Sequence, residues 1–159
     1  MSLYSQNKTS NKLENEGVWF DLRKNEDGTM QSFKIARMAL SNVKYAAAIR
    51  RIQKQYKKML QLDILPPETA DRVSNEAFVE TVLLDWRNIT HPVNAKGEFV
   101  VFEHGEPTTE ITGEKPFPFN TTNALKLITD LPDVYKVLES VANEAEAYRV
   151  AALETDAKN

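Results

Sequence analysis

Apolar positions change their spacing twice along the chain, and each change marks a change of element. Val18-Trp19-Phe20-Asp21-Leu22 is a short apolar run, and Ser32-Phe33-Lys34-Ile35-Ala36-Arg37 alternates apolar and polar positions. Alternation of this kind is the pattern of a half-buried strand. Between the two runs, Asp27-Gly28 is a turn signal, so 18–37 predicts an antiparallel β-hairpin. Residues 1–16 are polar and without period, which predicts a flexible N-terminal arm. From Ser41 the period lengthens. Tyr45, Ile49, Ile52, Tyr56 and Met59 follow at spacings of four, three, four and three, a single stripe on a helix. Ser41 or Asn42 is its expected N-cap.

Asp63-Ile64-Leu65-Pro66-Pro67 stops that helix, and Pro67 suits the first turn of the next. The second helix is expected over 68–86, with Phe78, Val79, Val82, Leu83 and Trp86 as its apolar face. Residues 88–119 predict an irregular middle with short strands at 100–102 and 116–119, the latter confined by its prolines to a sheet edge. Thr121 or Thr122 is the expected cap of a short helix carrying Ala124, Leu125 and Ile128. After Leu131-Pro132-Asp133, a last helix is read through Val134, Leu138, Val141, Ala145, Tyr148 and Ala152, and 155–159 reads as a frayed tail. The expected architecture is one α+β domain over 17–154, mostly helical: an N-terminal β-hairpin, then a helical bundle with a loop-rich middle containing short strands.

Composition narrows the classes. The 159 residues are 42% hydrophobic and 27% charged, a globular balance rather than a disordered one. The absence of cysteine excludes disulfide scaffolds, thiolate zinc sites and cysteine nucleophiles. Apolar runs are too short to span a bilayer, so no membrane role is expected. The polar start lacks the apolar stretch of a signal peptide. Charge is unevenly spread. Residues 41–60 carry Lys44, Arg50, Arg51, Lys54, Lys57 and Lys58 and no acid, whereas 61–85 are net −5 and 130–159 net −4. Basic and acidic helices side by side can pair with each other or present a polar surface to a partner.

Catalytic patterns are sparse. His91 and His104 stand apart without metal-ligand spacing, the five glycines form neither a dinucleotide fingerprint nor a phosphate loop, and no serine sits in a nucleophile elbow. The last helix carries its carboxylates as a solvated face rather than as an acid/base pair. No enzyme activity, metal or cofactor is expected. The basic helix is the one nucleic-acid candidate, since Lys44, Arg51 and Lys58 recur every seven residues. Against that stand the pI near 5.5 and the placement of Tyr45 and Tyr56 on the apolar stripe instead of among the cations. Trp19 and Trp86 read as core groups first and as interface anchors second.

The order of segments resembles the tail assembly chaperones of long-tailed bacteriophages. The resemblance rests on Glu16-Gly17-Val18-Trp19-Phe20-Asp21, Phe33-Lys34-Ile35-Ala36-Arg37, Leu83-Leu84-Asp85-Trp86, Pro118-Phe119-Asn120-Thr121-Thr122-Asn123-Ala124 and Leu131-Pro132-Asp133. It closes with Glu144-Ala145-Glu146-Ala147-Tyr148-Arg149 and Ala157-Lys158-Asn159. The stretch 90–113 is longer than the short loop of that pattern. The resemblance implies a non-enzymatic role in the host cytoplasm: binding the tape measure protein, keeping it soluble while tube subunits polymerise, and leaving before the virion matures. It also implies a longer product, made by programmed frameshifting near Ala157, that recruits the tail tube protein. Self-association is a further option. Client contacts are expected from the apolar groups Trp19, Phe20, Phe33, Trp86 and Phe119, with Arg37, Arg51 and Lys58 as basic contacts. The competing reading is a small nucleic-acid-binding regulator using the basic helix 41–60.

Overall fold

The structure, a computed structural model, describes residues 2–150. Ala152, the 155–159 tail and the Ala157 junction therefore lie outside the described residues. The fold is α+β, with the expected N-terminal hairpin followed by helices and short strands. Two short helices open the chain, α1 (Leu3–Asn7) and α2 (Asn11–Glu16). The hairpin follows as β1 (Val18–Lys24) and β2 (Met30–Ile35). Asp27 shapes its turn by accepting the Thr29 N–H at 2.9 Å, next to Gly28 at φ 90°.

Three helices come next: α3 (Val43–Gln55), α4 (Lys57–Gln61) and α5 (Pro67–Thr81). The chain then enters β3 (Leu83–Arg87). The irregular middle is built from β4 (Thr90–Val93), β5 (Phe102–Glu103), β6 (Glu106–Pro107) and β7 (Gly113–Pro116). It is better ordered than the sequence implies, because β4 pairs with β7 and β5 with β6. Then come α6 (Thr121–Asp130), α7 (Pro132–Asn143) and a 3-10 turn, Ala145–Tyr148. No helix among the described residues is long and apolar enough to cross a membrane.

The strands of the middle are not those expected, since only Phe102 of 100–102 and Pro116 of 116–119 lie in strands, and four further expectations need correction. The first is the arm. Ser10 caps α2 by accepting the Leu13 N–H, and Ser10, Leu13 and Glu14 are buried. The carbonyls of Lys8 and Tyr148 accept from the Val150 and Ser10 N–H groups, tying this segment to the other end of the described chain. The second is the helix over 68–86, which stops at Thr81. Residues 83–87 instead form the third strand of a β1-β2-β3 sheet, with Phe33 opposite Trp86. A short apolar run fits either period, and cross-strand packing decides in favour of the strand. Third, α6 is capped by Asn120, whose Oδ1 accepts the Asn123 N–H at 2.7 Å, and not by a threonine. Fourth, α7 does not run through Tyr148. Glu144 is extended, and the turn after it lets the buried Tyr148 hydroxyl donate to the Ile35 carbonyl at 3.0 Å.

The core lies between the inner face of the three-stranded sheet and α5, α6 and α7. Phe33, Ile35, Phe78, Val82, Leu83 and Leu138 are at its centre. Gly17 joins α2 to β1 at φ 91°, and a Cβ there would stand 3.2 Å from the Ile35 carbonyl group. Only glycine meets both demands.

Candidate partner-binding site

A partner-binding surface needs exposed apolar area and charges not already paired within the molecule. Most of the expected aromatic contacts fail that test. Phe33 and Trp86 face the core from β2 and β3 and meet edge to face at 6.3 Å. Trp86 stacks on Phe117 at 5.5 Å, meets the edge of Phe119 at 5.0 Å, and donates its Nε1 proton to the Phe117 carbonyl at 2.7 Å. Phe20 packs against the same cluster. These four expected contact residues are structural: strand alternation turns Phe20, Phe33 and Trp86 inward, and Phe119, in the segment between β7 and α6, is held against the Trp86 ring.

Trp19 is the exception. It alternates to the outer face of the sheet opposite Lys34, where it is 40% exposed and carries the Arg87 guanidinium 4.0 Å above its ring.

The three expected cations also divide. Arg37 is bound inside the molecule, its Nη1 2.9 Å from Glu14 Oε2. That carboxylate also accepts from the Ser41 hydroxyl. Burial alone would push the Glu14 carboxyl up, but hydrogen bonds from Ser41 and Thr9 and the Arg37 pair bring it below the ordinary value. Arg51 reaches Glu80 at 3.3 Å, the one ion pair among the described residues that joins the basic helix to the acidic segment after it. Lys58 has no such pair among the described residues, and neither do Lys54 and Lys57.

Lys58 lies on the elbow between α3 and α5, residues 56–66, and the local backbone explains that elbow. Tyr56 interrupts the helix at φ −110° and ψ 18°. Its hydroxyl, within 3.3 Å of the Arg72 guanidinium, links the break to α5. Asp63 turns the chain out of α4 in the left-handed region at φ 53°, and the Ile64 N–H bonds back to the Met59 carbonyl at 3.0 Å. This is a helix C-cap of the Schellman kind, with aspartate where glycine is commonest. Pro66 and Pro67 then start α5.

The result is a set of apolar side chains held in solvent. Met59, Leu60, Leu62 and Ile64 are 37% to 58% exposed, beside the cations of α3 and α4. An exposed apolar patch with cations along one flank is a docking surface for an amphipathic segment that carries acids on the matching side. Sequence reasoning took Met59 as the end of a buried stripe and missed the other three. The available signal was the run Met59-Leu60-Gln61-Leu62-Asp63-Ile64-Leu65, too apolar for one face of a helix and placed directly before two prolines.

Residues 40–159 match the family model described as YdaY prophage protein. The chain belongs to this prophage family. It is therefore a phage-derived protein, which agrees with the phage origin expected from the segment order. The match to the YdaY family includes the whole elbow and begins after the β1–β2 hairpin. No curated protein and no solved structure matches the chain.

Proposed function

We propose that this prophage protein is a tail assembly chaperone, a non-enzymatic holdase that binds the tape measure protein and keeps it soluble in the host cytoplasm. The observation that carries this reading is the elbow: Met59, Leu60, Leu62 and Ile64 exposed beside Lys54, Lys57 and Lys58. A long helical client that cannot bury its own apolar face needs a transient partner, and such a patch offers one. The cations favour client segments whose flanks are acidic. Several copies on one client would act by avidity, so each contact can stay weak and reversible. A longer product continuing past Ala157 would recruit the tail tube protein to the same client.

Co-expression with the neighbouring tape measure protein tests this. The unmodified chain should keep the client in the soluble fraction and co-purify with it, and the double variant Leu60→Asp, Ile64→Asp should do neither while remaining folded. A client that stays insoluble with both forms would sink the proposal. Lys54, Lys57 and Lys58, without ion pairs among the described residues, also support a second reading, a nucleic-acid-binding regulator. That reading requires RNA or DNA affinity that falls steeply with salt, whereas a client held by the apolar groups of the elbow should stay bound at high salt and lose only what its acidic flanks contribute.

A further inference from the structure

Away from the elbow, the molecule contains a cavity that the chaperone reading does not use. The inner face of β1 and β2, the β4–β7 ribbon and the α6–α7 corner enclose about 400 Å³, within the range of small-molecule sites. Leu22, Phe33, Phe102, Phe117, Leu127 and Val134 supply its apolar wall. Three titratable side chains, His91, Asp130 and Glu114, stand in its lining.

His91 is buried, with its ring packed against Phe117 at 4.5 Å and Phe99 at 5.3 Å, which also touch each other. Its Nδ1 lies 2.8 Å from the Pro92 carbonyl. A carbonyl only accepts, so Nδ1 carries the proton, and in the neutral ring Nε2 is left as an acceptor. No hydrogen-bond partner of Nε2 occurs among the described residues.

Asp130 ends α6 at the cavity, and its Oδ2 is buried without a hydrogen-bond partner. Burial pushes this carboxyl above its usual value, against the pull of Lys126 and His91. Lys126, one turn earlier, donates its ammonium to the Val100 carbonyl at 3.0 Å. The cavity lining also includes Glu114, and it includes no lysine or arginine.

A chamber with a largely apolar wall, two unmatched acceptors, a second carboxylate and no lysine or arginine in its lining is complementary to one chemistry. We propose that the cavity binds a small arylalkylammonium ligand, its ring among Phe33, Phe102 and Phe117 and its ammonium on Asp130 Oδ2 and His91 Nε2. The ammonium supplies the donors that Oδ2 and Nε2 lack, and the aromatic faces around the head add cation–π attraction. A carboxylate head on the same ring would bring a third anion beside Asp130 and Glu114.

Two probes of one shape test the charge requirement on the unmodified protein. Phenethylamine and 3-phenylpropionate are titrated separately while the amide resonances of residues 89–92 and 127–134 are followed. The amine should bind saturably with shifts confined to those resonances, and about tenfold or more tighter than the acid, as expected for one charge-assisted hydrogen bond. Asp130→Asn, checked for a native-like spectrum, should weaken the amine by a similar factor and leave the acid unchanged or improved. Equal affinity for the two probes, no saturable binding of the amine at millimolar concentration, or a folded Asp130→Asn that binds the amine undiminished each overturns the proposal. The two-probe comparison stands even where that variant fails to fold.

Discussion

The helices α3 and α5 pack against each other, yet their two ends live in different environments. Where α3 begins and α5 ends, the chain is anchored in the core, with Leu40 and Val43 left outside it. Asn42 is 1% exposed, caps α3 by accepting the Tyr45 N–H, and donates its amide to the carbonyls of Arg37 and Thr81. Ala46 and Ala48 on α3 and Ala77, Phe78 and Val79 on α5 are buried there. At the other end, α4 and the loop to α5 carry side chains as apolar as those of the core, and they remain in solvent. One end has its polar cap satisfied and its core-facing side chains covered, Leu40 and Val43 excepted. The other has neither its apolar side chains covered nor its cations paired among the described residues. Stability and recognition are thus divided between two ends of the same helix pair.

That division predicts very unequal responses to substitution. The largest belongs to the strand into which α5 leads. Trp86 is only 6% exposed and touches three phenylalanines. Trp86→Ala should therefore cost about 3–5 kcal/mol, the range for truncating a large buried aromatic, with client binding changed only through folding. Urea titration measures it, and a cost below ~1 kcal/mol would erase the contrast between the two ends.

A smaller effect is expected from the clasp that leads into α3, where Glu14 takes the Arg37 guanidinium and the Ser41 hydroxyl. Its carboxyl is lowered in the folded chain. The stability it contributes is therefore complete above the ordinary carboxylate range and is lost as pH falls through the lowered folded value. Glu14→Gln should cost about 1.5–3 kcal/mol at neutral pH, the range for hydrogen bonds to a charged group. It should also flatten the fall in stability between about pH 5 and pH 3. Thermal melts across that interval, run on both forms, check the two claims together; parallel curves would mean that Glu14 gains nothing from Arg37.

The clasp also marks where the sequence stopped being informative. The β-hairpin and α3 were legible because alternation and a three-four stripe are local patterns. The burial of Glu14 was not, since its partners Arg37 and Ser41 lie 23 and 27 residues away in the chain. Trp86 was legible as a core residue but not as a strand residue, because the pairing that makes it one comes from Phe33 on β2. The candidate contacts divided for the same reason. Their chemistry could be read from residue type, whereas inward or outward placement depended on register, and a shift of one residue exchanges the two faces. Trp19 and Phe20 are neighbours in sequence and face opposite ways.

The smallest effect is the most diagnostic. Leu62 and Ile64 are 57% and 58% exposed, and both follow the break that ends α4. Most of their apolar area is in water already, so replacing them removes little burial. Leu62→Ser and Ile64→Ser should each change stability by no more than about 0.5 kcal/mol, the level of ordinary surface substitutions. If the elbow had no function, that would be the whole outcome, and exposing two branched aliphatic groups would bring only a risk of aggregation. If the elbow holds a client, the same variants should lose co-purification of the tape measure protein while their denaturation curves overlay that of the unmodified chain. Unchanged stability together with unchanged capture would remove the elbow from the binding surface and leave Trp19, on the outer face of the sheet, as the remaining exposed candidate. A stability loss above ~2 kcal/mol would mean instead that the elbow is packed like the opposite end of the pair.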